Sequence, residues 1–473
     1  MISGVCLEEP ELMFGTGSHV DPQTGITLFG PYDLNQPRPK QVRLGFVGRQ
    51  DSLRLAMSWV ERGKHRVETK QTTSGTYYAP FPGFNEEGGF YSEIEYDQSM
   101  CRSIKPEEIE AVINEAINQV ECIDFLSSLF VREIKFLALN KKVDVIICCI
   151  SNDLFKMGAG YDDINAPQDS KEDDEPEPQD MVEYNFRRLL KAKAMEYNIP
   201  LQLILDETAS TMDSSVDIAS RYWNFFSALY YKAGGIPWAL SRKSQSHTCY
   251  AGISFYNSRD KSSLQSSSAQ IFNEHGNGII LRGGEAKIHK SDRQPHLDKD
   301  NSFQLLDNGL KEYYEAMKHF PQRVVLHKSS NYTNDEINGF QKAATKHSIH
   351  TLELVTILPS SVRITSKNIY PPNRGTLFTL NNDIRILYTR GFVPHYNTYR
   401  GSYIPSPLEL RFFSPIGDPE LVASEILMLS KINWNSTRFD RKLPITISSS
   451  DAVGDILKYV EGFSPKVRYS FYM

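Results

Sequence analysis

Short apolar runs alternate with amphipathic stretches along this chain, and their spacing predicts most of its elements. Gln41-Val-Arg-Leu-Gly-Phe-Val-Gly48 reads as a buried strand, followed by a helical pattern over 52–62. Residues 106–141 carry apolar positions at helical spacing and predict two helices. Val143-Asp-Val-Ile-Ile-Cys-Cys-Ile150 then predicts a strongly apolar strand. A basic helix over about 182–197, a strand over 201–205 and a long helix over 216–233 follow. Strands alternating with helices in this way predict a doubly wound α/β domain. After Trp238 the rhythm changes. Closely spaced strands are predicted at 248–255, 268–273 and 278–282, then a helix over 303–318, a strand over 323–327, a helix over 334–346 and a strand over 351–357. Strands at 376–380, 384–389 and 444–448, with helices over 419–430 and 451–460, complete a mixed sheet with helices on its faces. Residues 1–38, rich in Gly, Pro, Asp and Thr, read as an irregular or extended lead-in.

A chain of 473 residues has room for two or three domains with proper cores. Its net charge of −6 argues against a nucleic-acid binder until the charge is located. Residues 161–183, a Pro-containing segment expected to be a solvated loop, hold ten of the 58 acidic side chains and one of the 52 basic ones. The remainder carries 51 basic against 48 acidic groups, so it has enough positive charge for a basic groove. No run of 18 apolar residues is present, which excludes a transmembrane helix, and the N-terminus has no basic n-region before an apolar stretch. The six cysteines form no CxxC pair and read as small hydrophobes in a reducing compartment, so a cytoplasmic location is expected.

The basic helix offers candidate binding chemistry. Arg187 and Lys191 are four apart and share a face, with Arg188 and Lys193 beside them. Gln202 opens the next strand, and Lys232 ends the following helix. Cations with an amide donor suit a terminal phosphate. On spacing alone, a solvated helix face with an exposed Gln explains the same residues.

Two fragments carry a resemblance that bears on this choice. Lys232-Ala-Gly-Gly-Ile-Pro-Trp238, followed by Cys249-Tyr-Ala-Gly-Ile-Ser-Phe255, resembles the junction of the MID and PIWI domains of Argonaute proteins. Phe186-Arg-Arg-Leu-Leu-Lys-Ala-Lys-Ala-Met-Glu-Tyr-Asn-Ile-Pro-Leu-Gln202 resembles the MID segment that binds the 5′-phosphate of a guide strand. Asn331-Tyr-Thr-Asn-Asp-Glu-Ile-Asn-Gly-Phe340, Tyr388-Thr-Arg-Gly-Phe-Val-Pro394 and Asn433-Trp-Asn435 extend the likeness through 185–473. The resemblance implies a Rossmann-like MID domain over 39–235, containing the acidic loop 161–183, followed by an RNase H-like PIWI domain over 236–473. It places the guide phosphate on Arg187 (or Arg188), Lys191, Gln202 and Lys232, and the nucleic-acid backbone near His327 and Lys328. It also implies that the C-terminal carboxylate, here on Met473, helps hold Mg²⁺ at that phosphate.

In slicing members of the family, carboxylates on the PIWI sheet hold two metal ions. Here Ser254 and Ser329 stand where two of those acids would be, and the run Leu443-Pro-Ile-Thr-Ile-Ser-Ser-Ser450 offers serines before the last ligand. Neutral hydroxyls are poor ligands for two Mg²⁺ ions, so loss of slicing is expected. Glu285 lies in roughly the region of a further acidic ligand, and Asp451 lies close to the final one. The layout resembles the short prokaryotic Argonautes, which lack N and PAZ domains. That resemblance implies a partner protein bearing an APAZ region and an NAD-hydrolysing effector, sirtuin-like or TIR. It implies an RNA guide with a 5′-phosphate, a single-stranded DNA target, and a role in antiviral and plasmid immunity through NAD depletion. Two other readings stay open: an active RNase H-like guided nuclease, and a metabolic enzyme for a small phosphorylated ligand. The absence of a GxGxxG or Walker A loop weakens the latter.

Overall fold

The computed structural model describes residues 3–69, 79–154, 185–210, 217–240, 247–259, 261–272, 277–364, 370–399, 403–413, 417–438, 440–460 and 464–473. The acidic segment 161–183 and the expected start of the basic helix lie outside the described residues.

The N-terminal segment differs from the irregular lead-in expected for it. It forms β1 (Ser3–Cys6), β2 (Leu12–Met13), β3 (Ser18–His19) and helix α1 (Pro22–Phe29). Asp21 caps α1 by accepting from the Thr24 amide, and Pro22 occupies the first turn, where no amide donor is needed. Between β1 and β2, the Glu9 carboxylate accepts from Arg374 Nε at 3.0 Å and Lys431 Nζ at 2.8 Å, and both cations are fully buried. Long-range charge pairing of this kind leaves no periodic trace in a sequence, which is why the segment read as a lead-in.

The first large sheet is parallel. Its strands are β4 (Gln41–Gly48), β5 (Glu93–Glu95), β6 (Cys101–Ser103), β7 (Val145–Ile150) and β8 (Leu201–Leu205). They run in the order β5-β4-β7-β8, with β6 also paired to β4. The intervening helices are α2 (Gln50–Gly63), α3 (Pro106–Glu115), α4 (Gln119–Asn140), α5 (Phe186–Ala194), the single turn α6 (Asp206–Ala209) and α7 (Ile218–Lys232). Every residue of β7 is buried, as a strand covered on both faces requires. The core beside α2 and α7 is aromatic: Trp59 stacks on Tyr222 at 4.2 Å, and Phe81 and Phe84 each stack on Phe226 at 5.3 Å.

The chain leaves α7 through Gly234 and Gly235. Gly234 adopts φ +96°, and a Cβ on Gly235 would lie 2.3 Å from the Tyr230 ring, so the helix ends where only glycine fits. Strand β9 (Ala239–Leu240) then pairs with β2. The second large sheet contains β10 (Thr248–Asn257), β11 (Leu264–Phe272), β12 (Asn277–Ile288), β13 (Pro295–Leu297), β14 (Arg323–Lys328), β15 (Thr351–Pro359), β16 (Thr376–Thr379), β17 (Ile384–Leu387) and β18 (Leu408–Phe412). Its order is β1-β16-β17-β18-β15-β14-β10-β11-β12-β13, so the first strand of the chain forms one edge. β14 runs parallel to both β10 and β15, while β10 to β13 form an antiparallel meander. Helices α8 (Lys299–Met317), α9 (Asn334–Lys346), α10 (Pro419–Leu429) and α11 (Ile445–Leu457) accompany this sheet. The expected α/β architecture, a parallel sheet followed by a mixed one, is the one observed.

One element is of the wrong type. The strand expected at 444–448 is the N-cap and first turn of α11, a helix that also absorbs the one expected from 451. The alternation of Pro-Ile-Thr-Ile suggested period two. In the structure Pro444 sits at the N-cap, and the hydroxyls of Ser449 and Ser450 bond back to the carbonyls of Ile445 and Thr446. Tertiary packing overrides the local preference, because α11 lies directly on β10. A Cβ on Gly252 would stand 2.0 Å from the Thr446 carbonyl oxygen.

Candidate nucleic-acid interface

The basic helix and its neighbours converge as expected. Asn185 caps α5 by accepting from the Arg188 amide, and Phe186, Leu189 and Leu190 are buried beneath the helix. That places Arg187 and Lys191 one turn apart, Lys191 only 5% exposed and Lys232 only 6% exposed. Lys232 Nζ donates to Gln202 Oε1 at 2.5 Å, across from the end of α7 to the start of β8. Burial holds the Lys191 ammonium well below the ordinary lysine range, and the charges of Arg187, Lys232 and Arg188 push it the same way. Lys232 is displaced downward by burial and by Arg187. Among the described residues, the Lys191 ammonium has no acidic partner and no hydrogen bond.

This arrangement is costly unless something anionic occupies it. Buried cations in proteins are nearly always paired, since leaving one unpaired costs several kcal/mol. Here two buried lysines lie close to Arg187, and the polar contact that either ammonium makes among the described residues is that of Lys232 with the Gln202 amide oxygen. An arriving phosphate would supply the missing anion and restore both lysines to their charged form. The geometry also chooses between the adjacent arginines. Arg188 Nη2 is held by Asp455 Oδ2 at 2.7 Å, whereas Arg187 is the first charge acting on both lysines.

The C-terminus packs nearby. A single turn at Tyr469–Phe471 lies against α7, with the Tyr231 and Tyr469 rings 6.5 Å apart. Met473 is 2% exposed and belongs to the same core. No hydrogen bond or ion pair joins its carboxylate to Lys191 or Lys232 among the described residues. Those residues also contain no cluster of three or more His, Cys, Asp or Glu able to hold a metal. The fit to Mg²⁺ therefore rests on one hard oxygen donor, the Met473 carboxylate, and on whatever oxygens a bound phosphate brings.

The structure also brings Ser254 and Ser329 together. Ile253 of β10 lies opposite Lys328 of the parallel β14, so Ser254, within β10, and Ser329, just past the end of β14, lie side by side. The Ser329 amide donates to the Ile253 carbonyl at 3.2 Å. Ser254 is fully buried, and its hydroxyl makes no hydrogen bond of ordinary geometry, although the carboxyl of the exposed Asp451 faces it from α11. Glu285 is exposed on β12, opposite Gln265.

The expected backbone contacts by His327 and Lys328 are corrected, because both side chains are completely buried. His327 Nδ1 pairs with Thr446 Oγ1 at 2.8 Å, and burial lowers the ring to about 3, so it is neutral. Lys328 Nζ pairs with Glu336 Oε1 at 2.6 Å and donates to the Asn331 carbonyl at 2.7 Å. Burial lowers Lys328 to about 8 despite Glu336. These are structural contacts joining β14 to α9 and α11. Conversely, the spacing gave no hint of the Arg188–Asp455 pair or of the Asn185 amide donating to Tyr459 Oη at 3.0 Å. Together these fasten the start of α5 to α11 and the residues just after it, and so connect the lysine cluster to the serine pair.

Solved structures share this fold. The chain superposes on Clostridium butyricum Argonaute bound to a guide DNA and a 19-mer target DNA with a TM-score of 0.68, at 17% identity, covering 97% of this chain and 53% of that one. Drosophila Piwi matches with a TM-score of 0.62 at 12% identity, over 99% and 56%. Marinitoga piezophila Argonaute in complex with a 5′-OH guide RNA matches with a TM-score of 0.58 at 12% identity, over 97% and 59%. The chain thus has an Argonaute-type fold and spans a little over half the length of these structures. No protein-family profile matches it, and no curated protein is similar to it in sequence.

Proposed function

We propose that this protein is the guide-binding subunit of a prokaryotic defence complex. It holds the 5′-phosphate of a guide RNA on Arg187, Lys191, Gln202 and Lys232, and it senses single-stranded DNA by pairing that guide to a target. The observation that supports this most is the pair of buried lysines without an acidic partner, gathered with Arg187 and Gln202 in an Argonaute-type fold. A Mg²⁺ ion between the phosphate and the Met473 carboxylate belongs to this reading, and would add positive charge where two anions meet. Pairing then activates an APAZ-bearing partner with a sirtuin-like or TIR NAD-hydrolysing domain, and catalysis resides in that partner. The chain itself does not cut, since Ser254 and Ser329 replace acids that a two-metal site needs.

The test is to purify the protein with its partner and end-label the nucleic acid that accompanies it. Short RNAs bearing 5′-phosphates are expected. Lys191→Ala with Lys232→Ala should remove the preference for a 5′-phosphate over a 5′-hydroxyl. Equal affinity of the unaltered protein for the two ends would overturn the site assignment.

A further inference from the structure

Arg188 stands in sequence between the two pocket cations of α5 and is held elsewhere. It lies one residue after Arg187 and three before Lys191, so it borders their face of the helix. Arg187 acts on the charge of both buried lysines, whereas Arg188 acts on Lys191, which sets it to one side of the cluster. Its guanidinium is engaged by α11. Arg188 Nη2 lies 2.7 Å from Asp455 Oδ2, and Asp455 Oδ1 lies 3.4 Å from Lys458 Nζ. The two paired side chains are 31% and 36% exposed, and an ion pair so open to water adds little to stability. Nor does α5 depend on it for docking. The Asn185 amide donates to Tyr459 Oη at one end of the helix, and Lys193 Nζ lies 2.9 Å from Asp124 Oδ1 at the other. The consequence of the pair is therefore electrostatic: it occupies a guanidinium that would otherwise add to the charge facing a bound 5′ end.

We propose that Asp455 is a specificity-determining residue, which suits the pocket to a 5′-monophosphate rather than a 5′-triphosphate end by withholding Arg188. The proposal rests on the guide-binding reading. A terminal monophosphate carries about two negative charges, which Arg187, Lys191 and Lys232 suffice to match. A triphosphate needs countercharge beyond those three groups, and Arg188 is the next cation along α5. A free guanidinium there would bond two phosphate oxygens at once. Bound to Asp455 it offers no such grip, and the Asp455 carboxylate repels the added phosphoryl groups.

The test measures the affinity of the guide-free full chain for one RNA sequence ending in a 5′-monophosphate, a 5′-triphosphate or a 5′-hydroxyl. Asp455→Asn should tighten the triphosphate RNA roughly ten-fold, the scale of one charged hydrogen bond. The monophosphate RNA should gain much less, and the hydroxyl RNA should not change. Asp455→Ser should behave alike. Adding Arg188→Ala to Asp455→Asn should erase the gain, and adding Lys458→Gln should not. A gain that survives Arg188→Ala overturns the proposal, and so does an unchanged ratio of triphosphate to monophosphate affinity. An unaltered protein that does not distinguish a monophosphate from a hydroxyl end overturns the parent reading instead. Titration with inorganic tripolyphosphate then still decides the role of Asp455: binding tightened by Asp455→Asn and returned by Arg188→Ala supports it, and binding unmoved by Asp455→Asn overturns it.

Discussion

Lys191 shows how much one residue's environment adds to its spacing. The interval from Arg187 to Lys191 places them on one helix face, but a solvated face explains that interval equally well. The contact between Lys232 and Gln202, and the burial of Lys191, depend on α5, β8 and α7 meeting in three dimensions, which no local pattern states. The same limit misplaced His327 and Lys328, which the resemblance set near the nucleic-acid backbone although their side chains are buried in a central strand. The depressed Lys191 has a consequence for stability. Its folded pKa lies below its unfolded value, so between the two the unfolded chain binds more protons and stability rises with pH. The guide-free protein should therefore gain melting temperature as pH rises from neutrality toward the ordinary lysine range. Lys191→Met should remove part of that gain and stabilise the guide-free protein by roughly 1–3 kcal/mol, while losing 5′-phosphate preference. Calorimetry across pH, with and without a 5′-phosphorylated oligonucleotide, checks both; a destabilised Lys191→Met protein would show that the ammonium already has a partner.

Among the elements, those with clear periodicity were legible: β4, β8, α9 and β15 fall close to their expected ranges, because buried faces enforce periods of two and 3.6. Helix α11 was legible only in its second half. Its β-branched first turn mimics a strand, and what makes it helical is the close packing of Thr446 on Gly252. That contact matters for the candidate sites, since α11 carries Asp451 toward Ser254 and Asp455 toward Arg188, and leads into Tyr459, which accepts from the Asn185 amide. Gly252→Ala inserts a methyl where a carbonyl oxygen already stands, so α11 must lift. The expected cost is about 3 kcal/mol or more, read as a lower urea midpoint with unchanged m-value. Guide affinity should fall with it, because the tether on α5 shifts. An Ala variant as stable as the parent would show that the helix has room to move.

For the whole molecule, the two halves are joined by the Arg188–Asp455 pair and the Asn185–Tyr459 contact as well as by the chain, and the N-terminal segment is tied to the second sheet by charge. Glu9 bridges Arg374 and Lys431 beside the second sheet, and its carboxyl is held below the ordinary range, with burial opposed by Arg374 and then Lys431. Glu9→Gln should cost roughly 3–5 kcal/mol, since two buried cations lose the carboxylate that bridges them, and thermal unfolding measures it. An N-terminal segment that were only a lead-in would show no such loss. The same molecule-wide view bears on catalysis. A guided nuclease needs carboxylates from separate strands to converge on two metal ions, and fold alone does not provide them. Here Ser254 within β10 lies beside Ser329 just past β14, His327 is neutral and paired with Thr446, and Asp451 faces Ser254 from α11 with Asp455 close to it. On the proposed reading, in which those serines replace acids of a two-metal site, the position is short of the negative charge that two divalent ions need. Incubation of the guide-loaded protein with a fully paired, end-labelled target and Mg²⁺ or Mn²⁺ should therefore give no product, on RNA or DNA. A single product at a fixed distance from the guide 5′ end, lost in Asp451→Asn, would show that the site recruits ligands beyond those the strands present.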